Sequence, residues 1–328
     1  MHQFPVIVGP TAGGKTALAV ALAQRFARER GVAGEVISAD AYQVYRRMDI
    51  GTAKPTVEER EGVQHHLIDI VEPTERFTLN DWLARAESQI EECRARGVMP
   101  IVVGGTHLYV KALLEGLFEG PGADEAMRAE LRAMGLAALR AELERVDPLA
   151  ATRIHPNDER RAIRAIEVFR LTGTPISTHQ TQWDNADRVR PDAVLVGLDW
   201  PPEQINPRIN ARVKQMMERG LLEEVRALHT GGPGGSSLLG PTAREALGYK
   251  QLVEHLDASS GASRGGKPTP EDAVEQIKIE TRRFAKNQRT WLRRLRTTPR
   301  SVWIDAGAGA GQSADVAAWA ERVAAALR

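Results

Sequence analysis

The sequence predicts an α/β fold: a parallel sheet flanked by helices, with an all-helical segment inserted into it. Three observations carry this. Short apolar runs ending in small residues or an acid alternate with helix-period stretches over residues 4–120, which is how strands covered on both faces read. Gly9, Gly14, Lys15 and Thr16 fit the phosphate-loop spacing G-x-x-x-x-G-K-[ST], with an apolar run before and an Ala/Leu-rich stretch after. From 121 to 190 the strand signals stop and helical periods follow one another. The expectation is a phosphate-loop NTPase-like sheet over 1–120 and 191–328, ending in basic helices, and a helical insertion over 121–190.

The elements follow in order. Residues 4–9 form a buried strand ended by glycine, and 15–30 a helix. "EVISAD" (35–40) is a second strand, closing on Asp40. "DWLARAESQIEECRARG" (81–97) is a helix with its stop at Gly97, and "MPIVVGGT" (99–106) a third strand. Ligands of such sheets bind at the carboxyl ends of the strands, so the Gly9–Thr16 loop, Asp40 and Thr106 can share one crevice. In the insertion, "ADEAMRAELRAMG", "LAALRAELERVD" and "NDERRAIRAIEVFRLTG" are successive helices, with Asp124 and Asn157 or Asp158 as N-caps and Gly173 as a stop. The strand "DAVLVGLDW" (192–200) returns to the core. Residues 231–237 and 258–266 are Gly/Ser-rich loops.

Composition narrows the class. A chain of 328 residues that is 42% hydrophobic can build one large or two modest cores. The net charge of +1 gives no global field towards a polyanion, and one cysteine, Cys93, excludes a disulfide framework or an intrachain zinc finger. The start "MHQFPVIVG" reads as a strand rather than a leader, and no apolar run approaches a membrane span. The expectation is a cytoplasmic protein with no membrane partner.

The loop defines an oxyanion cradle: backbone N–H groups, a helix N-terminus, the Lys15 charge, and a Thr16 hydroxyl able to ligate Mg²⁺. A nucleotide-hydrolysing loop usually has an aspartate after an apolar strand to hold the metal. Here the best such strand ends "IVVGGT", without an acid. Asp40 is the acid at a strand end near the loop; it can serve a metal, act as a general base, or simply cap a turn. His65 and His66 are adjacent, and neighbours in an extended segment point to opposite faces, so they read as structural rather than as a metal pair. In 272–296, Val274, Ile277, Phe284, Trp291 and Leu295 fall on one helical stripe. Lys278, Arg282, Lys286, Arg289, Arg293 and Arg296 fall on another, and residues 281–300 contain no acid. A merely solvated face mixes signs, whereas this bias suits a polyanion groove. Arg160 and Arg164 share a face in the insertion, with Arg161 beside them.

Together these stretches resemble the tRNA dimethylallyltransferases (tRNA isopentenyltransferases) of bacterial type over nearly the whole chain. The matching segments are "GPTAGGKT" (9–16), "ISADAYQVYRRMDIGTAKP" (37–55), "HHLIDI" (65–70), "VGGTHLYVKALLEGL" (103–117), "RIHPNDERRAIRAIEVF" (153–169), "GYKQL" (248–252) and "RRFAKNQRTWLRR" (282–294). Ala41 stands where the family usually has Ser, and Glu245 and Ala246 also depart from it. The resemblance implies transfer of a dimethylallyl group from dimethylallyl diphosphate to the exocyclic amine of the adenosine 3′ of the anticodon. The loop residues Gly9, Pro10, Thr11, Ala12, Gly13, Gly14, Lys15 and Thr16 would then hold the donor diphosphate, with Mg²⁺ on Thr16. Lys15, Thr106 and Arg212 would stabilise the leaving diphosphate, and Asp40 would be the general base. The anticodon stem-loop would meet Asp40, Ala41, Tyr42, Gln43 and Thr106, then Gly248, Tyr249 and Lys250. Arg128, Arg160, Arg161 and Arg164 of the insertion and Arg282, Arg289 and Arg293 of the basic helix would complete that surface. A monomer is expected. The alternatives are an adenylate prenyltransferase, a small-molecule phosphate-loop kinase and a non-catalytic RNA-binding ATPase; the basic helices disfavour the first two and the missing acid the third.

Overall fold

Six strands, β1 (Phe4–Val8), β2 (Gly34–Ser38), β3 (His65–His66), β4 (Met99–Gly104), β5 (Ala193–Asp199) and β6 (Ser301–Asp305), pair in parallel in the order β3-β2-β4-β1-β5-β6. The computed structural model describes residues 3–118, 120–179, 190–260, 269–308 and 313–327. All five residues of β1 are buried, as are five of the six in β4, so the apolar runs are apolar because both faces are covered. The register Ile7↔Val103 and Val8↔Gly104 sets the carboxyl ends of β1 and β4 side by side. The phosphate loop and the segment Gly104–Thr106 therefore leave the sheet together.

Helix α1 (Lys15–Arg30) covers one face with α14 (Ser313–Ala326), and Arg30 donates to the Ala324 carbonyl at 2.7 Å. Their core joins Leu18, Leu22 and Phe26 to Val196, Trp200, Trp319 and Val323. After the short α2 (Val57–Arg60), α3 (Leu79–Ala95) covers the other face. Its Trp82 is fully buried, donates to the Ser38 carbonyl at 2.8 Å, and stacks on Tyr109 of α4 (His107–Glu115).

The chain divides into two units, one of residues 1–113 and 191–328, the other Leu114–Arg190; the second begins several residues before the expected 121. That unit holds α5 (Glu125–Ala133), α6 (Leu136–Val146), α7 (Pro148–Arg153), α8 (Glu159–Thr172) and α9 (Ile176–His179) around Leu131, Leu139, Leu143, Ile163 and Ile166. Asp124 and Asp158 cap α5 and α8 through side-chain oxygens, and Gly173 closes α8 at φ 72°. Asn157 is not the cap. Helix α7 was not read from the sequence, although Asp147 caps it just before Pro148 at its first position.

The first unit continues with α10 (Pro202–Glu218), α11 (Leu221–Thr230), α12 (Tyr249–Ser260) and α13 (Pro270–Leu295). Of the expected loop 258–266, residues 258–260 end α12 and 261–266 lie outside the described residues. The apolar stripe of α13 needs correction. Its buried residues are Ala273, Ile277, Ala285, Gln288, Leu292 and Leu295, whereas Phe284 is 40% exposed. The stripe turns towards small side chains because the helix packs closely at its middle. Among the described residues no helix is long and apolar enough to cross a membrane.

Candidate active site

A cavity of about 950 Å³ opens at the carboxyl ends of β1, β2 and β4. The phosphate loop forms one wall. Its turn requires left-handed backbone at Ala12 (φ 60°) and Gly14 (φ 85°), the second at no steric cost because it is glycine. Gly14 begins α1 without any side-chain cap, so the first N–H groups of the helix have no intrahelical partner and face an anion site. Three distant residues pin the loop. Trp200 donates to the Gly13 carbonyl at 3.0 Å, Arg208 to the Ala12 carbonyl at 3.1 Å, and Gln288 accepts from the Thr11 N–H at 2.8 Å. Thr16 also lines the cavity.

Asp40 faces the loop. Its Oδ1 accepts from the N–H groups of Tyr42 at 2.9 Å and Gln43 at 3.2 Å. The turn-cap reading and the base reading are thus compatible: one oxygen caps the turn and the other is left to the cavity. Thr106 Oγ1 accepts from the Ala41 N–H at 3.1 Å, which leaves its own proton to donate. The family position filled by Ala41 is therefore held by backbone, whatever its side chain. Gln43 is structural, accepting from Ser38 Oγ and donating to the Thr52 and Ala53 carbonyls.

Helix α10 supplies cations. Arg208, Arg212 and Arg219 are spaced four and seven apart, on one face, and all line the cavity; that spacing was available in the sequence and only Arg212 was taken from it. Arg208 also lies over the Trp200 ring at 4.7 Å. Burial and the nearby Arg212 charge pull Lys15 down to about 8, and Asp40 offsets part of this; its ammonium donates to the Pro10 carbonyl at 2.8 Å. Burial likewise lowers Arg212, with Asp40 opposing. His107, missed in the sequence, is buried beside Thr106 with Nε2 unpartnered among the described residues; burial, and then the Lys15 charge, hold it at about 4, a neutral imidazole.

The loop after Asp40 is clamped from elsewhere. Glu224 accepts from the N–H groups of Asp49, Ile50 and Gly51 and from the Tyr249 hydroxyl. Lys54, 6% exposed, donates to the Tyr45 carbonyl and pairs with Asp49 and Asp69. The Glu224 partners Asp49, Ile50 and Gly51 are more than 170 positions away, which hid them.

The site is a phosphate loop and three arginines of α10 gathered round one cavity with Asp40, and Glu59 and Glu61 also line it. A sequence model described as "IPP transferase" matches residues 43–295, and one described as "Isopentenyl transferase" matches 2–74. The tRNA dimethylallyltransferase of Anaeromyxobacter dehalogenans (strain 2CP-C) is 44% identical over 92% of this chain and 94% of its own. The chain belongs to the tRNA dimethylallyltransferase (IPP transferase) family. The Geobacillus kaustophilus member is 43% identical over 89% of this chain and 88% of its own. The solved tRNA isopentenylpyrophosphate transferase of Bacillus halodurans superposes with a TM-score of 0.67 at 38% identity, over 100% of this chain and 97% of that one. A eukaryotic dimethylallyltransferase, described as acting on tRNA, gives 0.76 at 29% identity, over 94% of this chain and 74% of that one.

For this tRNA dimethylallyltransferase family member, the residues expected at the RNA scatter more than the loop does. Tyr249 is fully buried with its hydroxyl on Glu224, so it is not an RNA-contacting surface. Arg128 and Arg164 both bind the fully buried Glu167 and are committed to the helical core. Arg160 and Arg161 are exposed, the latter 3.4 Å from Asp158. Gly248 is left-handed (φ 92°), and Lys250 pairs with Glu245, a position that departs from the family. On α13, Arg282 donates to Asn210 Oδ1 at 2.7 Å, Lys278 pairs with Glu275 and Arg296 with Asp199. Lys286 and Arg293 are exposed, and Arg289 has its Nη1 buried without a partner among the described residues.

The two histidines have separate partners, and His65 also lines the cavity, its Nε2 buried without a partner among the described residues. His65 is buried with Nδ1 on the Val63 carbonyl, and His66 Nε2 lies 2.7 Å from Glu35. Among the described residues Glu35, His66 and Cys93 are close enough to share a metal. Arg96 already takes both Glu35 oxygens and, with His66, holds that carboxyl at about 2 against the opposing effect of burial, so the cluster is satisfied as it stands.

Proposed function

We propose that this chain transfers a dimethylallyl group from dimethylallyl diphosphate to the exocyclic N6 amine of the adenosine 3′-adjacent to the anticodon of tRNA. The observation that carries the reading is the meeting of the phosphate loop, Lys15 and Arg212 with Asp40, the carboxylate at the end of β2, in a cavity whose apolar strand β4 ends without an acid. A loop built to hydrolyse a nucleotide needs that acid; a diphosphate leaving group does not.

As the allylic C–O bond breaks, negative charge grows on the diphosphate. Lys15, Arg212 and the free N–H groups at the start of α1 are fixed around it before reaction, so they cost no reorganisation. The Thr106 hydroxyl, its oxygen already held by the Ala41 N–H, donates to the departing oxygen. The adenine amine attacks the allylic carbon and loses its proton to Asp40. Oδ1 keeps the turn closed, so the other oxygen takes the proton. The base must leave the anticodon stack to reach this buried centre.

Mg²⁺ fits the donor set: Thr16 lines the cavity among oxyanion-binding groups, and its hydroxyl is a hard oxygen ligand of the kind this ion takes alongside phosphates. When bound it would add positive charge beside the leaving diphosphate. For the RNA we propose contacts from Lys286, Arg289 and Arg293 of α13 and, taken by itself, a second basic patch of Arg160 and Arg161 on the helical unit. The protein works as a cytoplasmic monomer, where tRNA is available and buried Cys93 stays reduced.

Incubation with unmodified tRNA and dimethylallyl diphosphate in nucleotide-free buffer with Mg²⁺, followed by nucleoside mass analysis, tests this. The expected product is dimethylallyladenosine next to the anticodon. A strict requirement for ATP, or modification of free AMP alone, would point to the kinase or adenylate readings instead.

A further inference from the structure

We infer that Gln288 is a positioning residue that makes the donor loop and the RNA-facing helix act as one part, so that pyrophosphate in the loop and RNA on α13 strengthen each other's binding. The inference rests on the proposed reading of the loop as the donor site and of α13 as an RNA surface.

Gln288 sits in the buried stripe of α13, between Ala285 and Leu292, and is 2% exposed. A buried amide in an apolar stripe is costly unless both its ends are bonded. Here they are. Oε1 accepts from the Thr11 N–H at 2.8 Å, and Nε2 donates to the Gly105 carbonyl at 3.0 Å. Thr11 belongs to the phosphate loop after β1, and Gly105 follows β4, one residue before Thr106. One side chain on the helix thus spans the two strand ends from which the proposed diphosphate-binding groups come.

Gly105 is built to admit this clasp. A Cβ there would lie 2.8 Å from Gln288 Nε2 and 3.7 Å from Lys15 Nζ. The first distance is too short to keep, so any side chain at 105 displaces the amide. The Thr11 N–H is also turned away from the ligand by this bond, which fixes the shape of the loop before anything binds.

The opposite side of the same helix is free to take a polyanion. Lys286 and Arg293 are exposed, and Arg289, the next residue after Gln288, has a buried Nη1 with no partner among the described residues. A ligand that draws on these cations orders the middle turns of α13. That ordering reaches Thr11 and Gly105 through Gln288. Coupling of this kind is reciprocal in binding free energy.

The test uses inorganic pyrophosphate as the donor-site probe, titrated with Mg²⁺ into the full chain with and without saturating unmodified tRNA. The unaltered protein should bind pyrophosphate about fivefold or more tighter when tRNA is present. Gln288→Leu keeps the volume but loses both bonds. It should bind pyrophosphate about tenfold more weakly alone, and the gain from tRNA should fall to about onefold. Gly105→Ala, which leaves Gln288 in place and only pushes its amide aside, should do the same and stands in if Gln288→Leu does not fold. A merely structural role would lower melting temperature and both affinities alike while preserving the ratio. A preserved ratio in a folded variant, or no coupling in the unaltered protein, would overturn the inference; in the first case the Arg282–Asn210 contact between α13 and α10 would be the path. Product formation is measured on the same protein. Coupled binding without any prenylated tRNA would sink the proposed activity and leave the clasp standing.

Discussion

In the helical unit, Arg128 and Arg164 share one fully buried carboxylate, Glu167. In the cavity, Lys15 and Arg212 have no salt-bridge partner among the described residues, although Asp40 acts on both at longer range. The two groups titrate in opposite directions. Glu167 raises Arg128, and burial, which pushes Glu167 up, is outweighed by the two guanidiniums, leaving that carboxyl low. Burial lowers Lys15 to about 8 and also lowers Arg212. Arginines that look alike along the chain thus do two jobs. Those that meet a buried acid hold the fold, and those left without one are, in the proposed function, the cations that hold the donor's diphosphate.

The largest expected effect lies in the paired region. Glu167→Gln strips the charge from a carboxylate that two arginines surround, and breaking such a buried pair costs about 3–5 kcal/mol. Chemical denaturation should show a loss of this size. A loss below about 1 kcal/mol, the scale of an exposed pair, would break the comparison. The cavity should respond in the opposite sense. Arg212→Met removes a cation without an acid partner, so melting temperature should hold or rise while prenyl transfer falls by at least about 10²-fold. Loss of stability comparable to that of Glu167→Gln would mean that Arg212 is structural after all.

The pH dependence sharpens the same point. Bound diphosphate favours the charged form of Lys15 and so raises a value that is about 8 in the free protein. Below that pH the free protein already carries the proton, and donor affinity should be flat. Above it binding must take up a proton, so affinity should drop about tenfold per pH unit. Lys15→Met should abolish that slope, and calorimetric titration between pH 6.5 and 9.5 would reveal it.

The smallest effect belongs to the exposed cations. Lys286→Ala with Arg293→Ala should leave stability within about 0.5 kcal/mol, and each lost phosphate contact should flatten the salt dependence of tRNA binding by about 0.7–0.9. Arg164→Ala should do the reverse, costing stability with the salt slope unchanged. A slope unchanged in the double variant would place the RNA surface elsewhere.

Local signals were legible. The loop spacing, the helix 15–30, the strand ends within a residue or two, and the caps at Asp124, Asp158 and Gly173 all emerge from neighbours in sequence. Strands β3 and β6 and helices α2, α4, α7, α9 to α12 and α14 were not read; among them the two-residue β3, the five-residue β6 and the shortest helices carry little periodic signal. On α13 the large residues Phe284 and Trp291 were expected in the core. The helix instead buries Ala285 and Gln288, because the loop and Gly105 approach it too closely for an aromatic ring. The site residues Gln288 and Glu224, which sequence missed, act on partners that only the fold brings near. Tyr249 was misplaced for that reason: its Glu224 partner is 25 positions away.

Asp40 carries the central claim, and one variant isolates it. In Asp40→Asn the side-chain oxygen can still accept from Tyr42 and Gln43, so the turn persists while the proton acceptor is gone. Single-turnover transfer should be measured with donor and tRNA both saturating, beside tRNA affinity on the same preparation. The expected result is a rate about 10²–10⁴-fold lower with unchanged tRNA affinity; a near-native rate would contradict the assignment of Asp40 as the base.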